Sequence, residues 1–326
     1  MELKEVSLLA IKFITFLACL MNGLLLLAVA RGKRDFFVGG GKSLNFFTVW
    51  LIAAAFLWHL SMFINEIYVS FHDSNGFHRD TLTCDFFGIS VILGGGFSIT
   101  GHLFLAIDRY YIIVKGQDIS RNVSWFLGIS WSIYILTGTF YNYTVSNFAF
   151  RPMALDTWCF LPLYEEDLPS KSTFLVPANM LVIFLALNVI FISIIYLAII
   201  HYVFQERKNI IKGDVTGKLK SDPGSTATSP LSNTNKVSKS SLEIKTLKWC
   251  ILVTVVFAIS YTPIFLLAVY ALITKKPYVP EFDIFASILG ILDGIWSPIV
   301  LLRMNATLLK VFLKFILTRG WTIGNK

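Results

Sequence analysis

Phe104-Leu105-Ala106-Ile107-Asp108-Arg109-Tyr110-Tyr111-Ile112-Ile113-Val114 closes the third of seven long apolar stretches in this chain. A charged Asp-Arg pair there, with apolar residues on both sides, marks a helix end at a membrane edge, where an arginine can reach water while its stem stays in lipid. Cys84 lies 25 residues upstream, at the other end of the same stretch, and Cys159 lies in the loop after the fourth stretch. Working outward, the apolar runs place spans near Ser7–Ala30, Leu44–Val69, Cys84–Val114, Ser124–Asn147, Thr173–Phe204, Leu242–Ile273 and Phe282–Arg303. Each exceeds the roughly 20 residues a helix needs to cross a bilayer, about twice the length of a barrel strand.

Composition agrees. Of 326 residues, 55% are hydrophobic and only 15% charged, with a mean hydropathy of +0.67, outside the range of soluble domains. The fold class expected is an all-α membrane protein, a seven-transmembrane helix bundle with a short amphipathic eighth helix. The first run is too long for a signal-peptide core and has no basic patch before it, so it is expected to act as a signal anchor. Residues 1–6 form a short N-terminal tail and residues 7–303 the bundle. Residues 304–326 hold the amphipathic helix (Leu308, Leu309, Phe312, Leu313, Phe315 and Ile316 with Lys310 and Lys314) and a short tail without cysteine, hence without an acylation site.

Orientation follows from the 28 lysines and arginines. With the N-terminus outside, 21 of them fall on the inner side: Arg31, Lys33, Arg34 and Lys42, then Arg109, Lys115 and Arg121, then the run from Arg207 to Lys248, then Arg303 to Lys326. The positive-inside rule favours that arrangement, which implies a multi-pass protein of the plasma membrane with its C-terminus in the cytoplasm. The net charge of +8 reflects this asymmetry; the basic residues hug span ends and form no separate nucleic-acid-binding domain. Cys84 and Cys159 then both lie outside, where oxidation is permitted, and are expected to form a disulfide. Cys19 and Cys250 fall within spans as packing residues.

Gly213–Ser241, in the third inner loop, is rich in Ser, Thr, Gly, Pro and Asn, and is expected to be disordered. Phosphorylation there would add charge able to recruit a kinase- or arrestin-like regulator; a flexible linker is the plainer alternative. Three consecutive glycines, Gly94 to Gly96, are read as a place where helices approach closely.

Seven spans, Cys84 with Cys159, and Asp108-Arg109-Tyr110 together resemble the rhodopsin-like (class A, family 1) G-protein-coupled receptors, as a divergent member. The resemblance implies that Arg109 pairs at rest with an acid on the sixth helix, matched by Glu243, and that activation swings this helix outward and frees Arg109 for the G protein. In Phe257-Ala258-Ile259-Ser260-Tyr261-Thr262-Pro263 the phenylalanine and the kinking proline match the family pattern, while Ser260 replaces its cysteine and Tyr261 its tryptophan toggle. The seventh span keeps Pro298, but Ser297 stands for the family's asparagine and Leu301 for its tyrosine, so the inner water network must be rewired.

The family's buried aspartate of the second span falls at Ala55, whereas an unexpected acid, Asp293, lies one turn before Ser297. A carboxylate inside a membrane is functional by default. It is expected to hold a sodium ion or a proton near Asn22, Ser98 and Ser297, against the alternative of a protonated acid bonded to a neighbouring helix. His102 and His59 lie at similar depth; His102 is a pH-sensitive barrier or, more plainly, a satisfied buried histidine.

On ligand class, the resemblance excludes retinal as a cofactor, because no lysine occurs between Lys276 and Lys310 and Ile291 takes the attachment position. Val91 stands where amine receptors place an aspartate. The apolar lining leans toward a neutral or lipidic agonist, with Val91, Glu66 and Tyr261 as candidate contacts and Asn65 beside them. The expected function is a receptor, not an enzyme, that promotes nucleotide exchange on a heterotrimeric G protein. The rivals are a scaffold or decoy without coupling, and a transporter, whose repeat and several midplane charges are not seen.

Overall fold

The computed structural model describes residues 3–38, 42–72, 82–145, 151–152, 159–160, 175–219, 249, 251–253, 255–267, 269–270, 273–274 and 279–322. Its helices are α1 (Leu3–Arg31), α2 (Lys33–Val38), α3 (Lys42–His72), α4 (Leu82–Tyr110), α5 (Arg121–Val145), α6 (Leu175–Leu219), α7 (Ile251–Leu267), α8 (Pro280–Met304) and α9 (Ala306–Thr322). Among the described residues six helices are long and apolar enough to cross a membrane, and α7 is a shorter apolar segment that completes the seven-helix bundle.

The bundle is apolar outside and partly polar inside. Phe13, Leu20, Phe126, Ile133 and Leu197 are exposed, whereas Asn22, His59, Ser98, His102 and Asp293 are buried. Lipid solvates apolar side chains as well as a protein core does, so hydrogen bonding and close fit must hold the helices together. The fit is clearest between α3 and α4. A Cβ on Gly94 would lie 2.7 Å from the Trp58 Cα, and one on Gly101, two turns further, 3.1 Å from the Leu51 Cα. Of the glycine triplet only Gly94 makes this approach: at Gly95 and Gly96 a Cβ would meet Trp58 and Ile135 at ordinary contact distance.

Cys84 and Cys159 form a disulfide, with Cα atoms 5.3 Å apart. It ties the N-terminal end of α4 to a two-residue strand, β2 (Cys159–Phe160), paired antiparallel with β1 (Arg151–Pro152). At the other end of α4 the helix widens into a π-turn, Tyr111–Lys115, which stops at Gly116. Gly116 has φ of 65° and its N–H donates to the Tyr111 carbonyl, the left-handed closure that glycine adopts at no steric cost.

α8 opens with Pro280 in its first turn and Glu281 and Asp283 near its N-terminus, both favourable there. It ends at Asn305, whose N–H donates to Leu301 and whose Oδ1 accepts the Leu308 N–H at 3.0 Å. That single asparagine caps α8 and starts α9. α9 buries Leu308, Val311 and Phe315 while Leu313, Ile316 and Leu317 stay exposed, as expected of a helix lying along a membrane surface. α6 runs to Leu219, so residues 213–219 of the expected disordered loop are helical. The rest of that loop, Glu243 and Cys250 lie outside the described residues.

Candidate functional site

The polar centre of the bundle is Asp293 on α8, and three helices supply its partners. The Ser297 hydroxyl, one turn along α8, donates to Oδ1 at 2.7 Å. The Tyr261 hydroxyl of α7 donates to Oδ2 at 2.9 Å. His102 Nε2 of α4 lies 3.2 Å from the same oxygen and 3.3 Å from the Ser297 oxygen. An ionised carboxylate accepts only, and all three neighbours can donate, so the set matches a carboxylate. A proton bridging Asp293 and His102 can sit on either group. Either way the buried acid is bonded at both oxygens, as lipid depth requires.

Rings wall this centre. His102 lies 5.2 Å from the Phe257 ring and 6.2 Å from Tyr261, Phe257 and Tyr261 are 4.7 Å apart, and Trp58 stacks on Tyr261 at 6.4 Å. Ser98, a turn before His102, is buried beside the Tyr261 hydroxyl. Close by, His59 presents Nδ1 to the Ala55 carbonyl at 2.6 Å and Nε2 to the Ile291 carbonyl at 3.3 Å. A neutral ring donates to one of them and a protonated ring to both. Asn22 donates to the carbonyls of Ala18 and Gly294, both at 2.8 Å. A Cβ on Gly294 would collide with the His59 ring, so a bare backbone is needed there to let α1, α3 and α8 converge next to Asp293.

The centre is linked to the end of α4. A cavity of about 30 Å³ reaches from His102 and Ser297 to Arg109, walled by Tyr196, Phe257 and Leu301. Leu301 thus lends an apolar wall where the family pattern has a tyrosine hydroxyl. Arg109 Nε has no hydrogen-bond partner among the described residues, while its neighbour Asp108 is fully buried. Tyr110 packs edge-on against Tyr111.

The outer candidates separate. Val91 and Tyr261 share one apolar cluster with Trp58, Met62 and Ile291. Glu66 is buried against α1 instead, accepting the Thr15 hydroxyl at 2.9 Å, and its neighbour Asn65 is fully buried. So the structure joins Asp293, Ser297 and Tyr261, sets Ser98 beside them, and turns Asn22 to the α8 backbone. Phe257 belongs to the ring wall; Pro263 and Pro298 lie within α7 and α8. What sequence reasoning missed is His102 as the partner of Asp293. The available signal was two titratable residues at matching membrane depth.

The family model described as 7 transmembrane receptor (rhodopsin family) matches residues 21–301. The chain belongs to this family. No curated protein matches its sequence. Among solved structures, the crystal structure of squid rhodopsin is similar, with a TM-score of 0.71 at 15% identity, covering 99% of this chain and 88% of that one. At that identity the likeness concerns the fold alone. The family is a receptor family, and the chain is a multi-pass membrane protein with the disulfide expected for it.

Proposed function

We propose that this rhodopsin-family receptor promotes nucleotide exchange on a heterotrimeric G protein, and that the Asp293 centre is the internal restraint that an agonist releases. The observation that carries this is the joining of α4, α7 and α8 at one carboxylate, beside a cavity that ends at Arg109. Moving the inner end of α7 outward pulls on the Tyr261 hydroxyl, so bonds at Asp293 oppose opening. An agonist acts by binding the open arrangement more tightly, and its differential affinity sets how far the balance shifts. The agonist enters from the outer side, above Tyr261 and Val91. It is neutral or lipidic, and Ile291 at the attachment position leaves no amine for retinal.

Of the arrangements considered for Asp293, the hydrogen-bond pattern supports an acid bonded to neighbouring helices over one that holds a sodium ion. Both carboxylate oxygens already accept donors, so the carboxylate is satisfied without a sodium ion, although Asn22 Oδ1 has no hydrogen-bond partner among the described residues. Added sodium should therefore leave basal exchange unchanged.

The distribution of Lys and Arg supports an outside N-terminus and a cytoplasmic C-terminus, in a receptor of the plasma membrane. In this arrangement Glu243 pairs with Arg109 at rest, and a kinase- or arrestin-like regulator acts on the third inner loop. The test is basal GTP-analogue uptake by a panel of G proteins reconstituted with the wild type, Glu243→Ala and Arg109→Ala. A rise with Glu243→Ala that is lost on adding Arg109→Ala is expected. Uptake equal to empty membranes for all proteins, at confirmed expression, would favour a scaffold without coupling.

A further inference from the structure

Away from the Asp293 centre, a second cavity of about 230 Å³ opens where α1, α2 and α9 meet, lined by Arg31, Gly32, Asp35, Val311, Lys314 and Phe315 together with Ala28. It lies at the same end of the bundle as Arg109. Its shape is built by the sequence. A side chain at Gly32 would collide with Val311, so only glycine lets α2 fold back against α9. The Gly32 N–H continues the α1 ladder to Ala28 at 2.8 Å, and Phe36 anchors α2 in the core. The Arg31 guanidinium is held 5.2 Å above the Phe315 ring and makes no ion pair among the described residues. Opposite it, Lys314 meets Asp35 at 2.9 Å, both side chains largely exposed.

Each cation has an exposed leucine about one helical turn away. Leu27 precedes Arg31 by four residues on α1, on the side toward the membrane centre, and Leu317 follows Lys314 on α9. Cations above and apolar surface below match a molecule with an anionic head and hydrocarbon chains. A stacked arginine presents its planar fork to phosphate oxygens, and Lys314 supplies a point charge. Its bond to Asp35 is exposed and worth little, so a phosphate can take Lys314 from Asp35.

We propose that this cavity is a binding site for the phosphorylated headgroup of an anionic phospholipid, with Arg31 and Lys314 holding the phosphate and the acyl chains lying along Leu27 and Leu317. Asp35 occupies Lys314 when no lipid is bound and sets the affinity. The site is independent of the G-protein reading, since it needs no effector.

The test is binding of fluorescent phosphatidylinositol bisphosphate to the purified full-length chain, read by anisotropy, with phosphatidylcholine, phosphatidylserine and soluble inositol trisphosphate as competitors. Arg31→Gln and Lys314→Gln should each weaken binding about fivefold, the effect of one cation near a charged surface. Asp35→Asn should tighten it. Lys33→Gln removes a charge from the same face outside the cavity and should change binding little. Thermal unfolding of each variant checks that it is folded. Should Lys33→Gln weaken binding as much as Arg31→Gln, diffuse surface charge replaces the site. Should soluble inositol trisphosphate compete as well as the lipid, the acyl contacts are wrong. Should Asp35→Asn leave binding unchanged, the competition for Lys314 is wrong.

Discussion

Two ends of one helix path behave differently. At the C-terminal end of α4, Asp108-Arg109-Tyr110 keeps the family pattern, and Arg109 lines a small cavity with its Nε unbonded among the described residues. Two turns up, around His102, the pattern is abandoned and both oxygens of Asp293 are bonded. The end proposed to meet the G protein keeps the family's residues and leaves the Arg109 Nε unbonded among the described residues. The centre that holds the helices together is rebuilt and tightly bonded. A buried network is costly to break from one side only, because the partners left behind are unsatisfied. The proposed Arg109–Glu243 pair, half-exposed at the helix end, would cost little to break, which suits a latch. In the proposed mechanism restraint and readout are carried by different residues, joined through the cavity wall formed by Phe257, Tyr196 and Leu301.

The largest effect should come from removing the hub. Asp293→Ala strands His102, Tyr261 and Ser297, and a loss of about 3 kcal/mol is expected, read as a lowered midpoint of thermal unfolding in detergent. A midpoint equal to wild type would erase the distinction between the two regions. Next, Gly294→Ala forces His59 from its pocket beside the hub and should cost about 1–3 kcal/mol. Gly138→Ala on α5 has open space around the new methyl and should be neutral or slightly stabilising. Equal responses at these two glycines would mean that the convergence of α1, α3 and α8 is not tight.

Tyr261→Phe sharpens the comparison further. The ring wall stays and one hydroxyl is lost, so the cost should be about 1 kcal/mol, accompanied by a rise in basal nucleotide exchange. If exchange falls instead, the hydroxyl supports the open form. The smallest effect should be that of Glu243→Ala on stability, at most about 1 kcal/mol, although basal exchange should rise.

Much of the fold was legible in the chain. Apolar runs longer than a bilayer is thick admit few alternatives, and Cys84 and Cys159, both on the outer side in the expected orientation, sit together in the disulfide. Asp293, Ser297 and Tyr261 stood out because each departs from a known pattern or carries a polar group at lipid depth. His102 stood out by depth but not as the partner of Asp293, because it lies 191 residues away on a helix whose rotation periodicity does not set. That rotation depends on close approaches such as Gly94 on Trp58, which a triplet of glycines signals without saying which one is used. Asn22 was expected near the carboxylate from the resemblance to the family, and its amide bonds the backbone of the residue after Asp293.

The central claim, that the Asp293 centre restrains activation and Arg109 reads out its release, is tested most directly by basal GTP-analogue uptake of Asp293→Asn with and without Arg109→Ala. The account predicts that Asp293→Asn exceeds wild type and that adding Arg109→Ala returns uptake to the level of empty membranes. If Asp293→Asn is folded and expressed but leaves uptake at the wild-type level, the centre holds the bundle together without governing its switch.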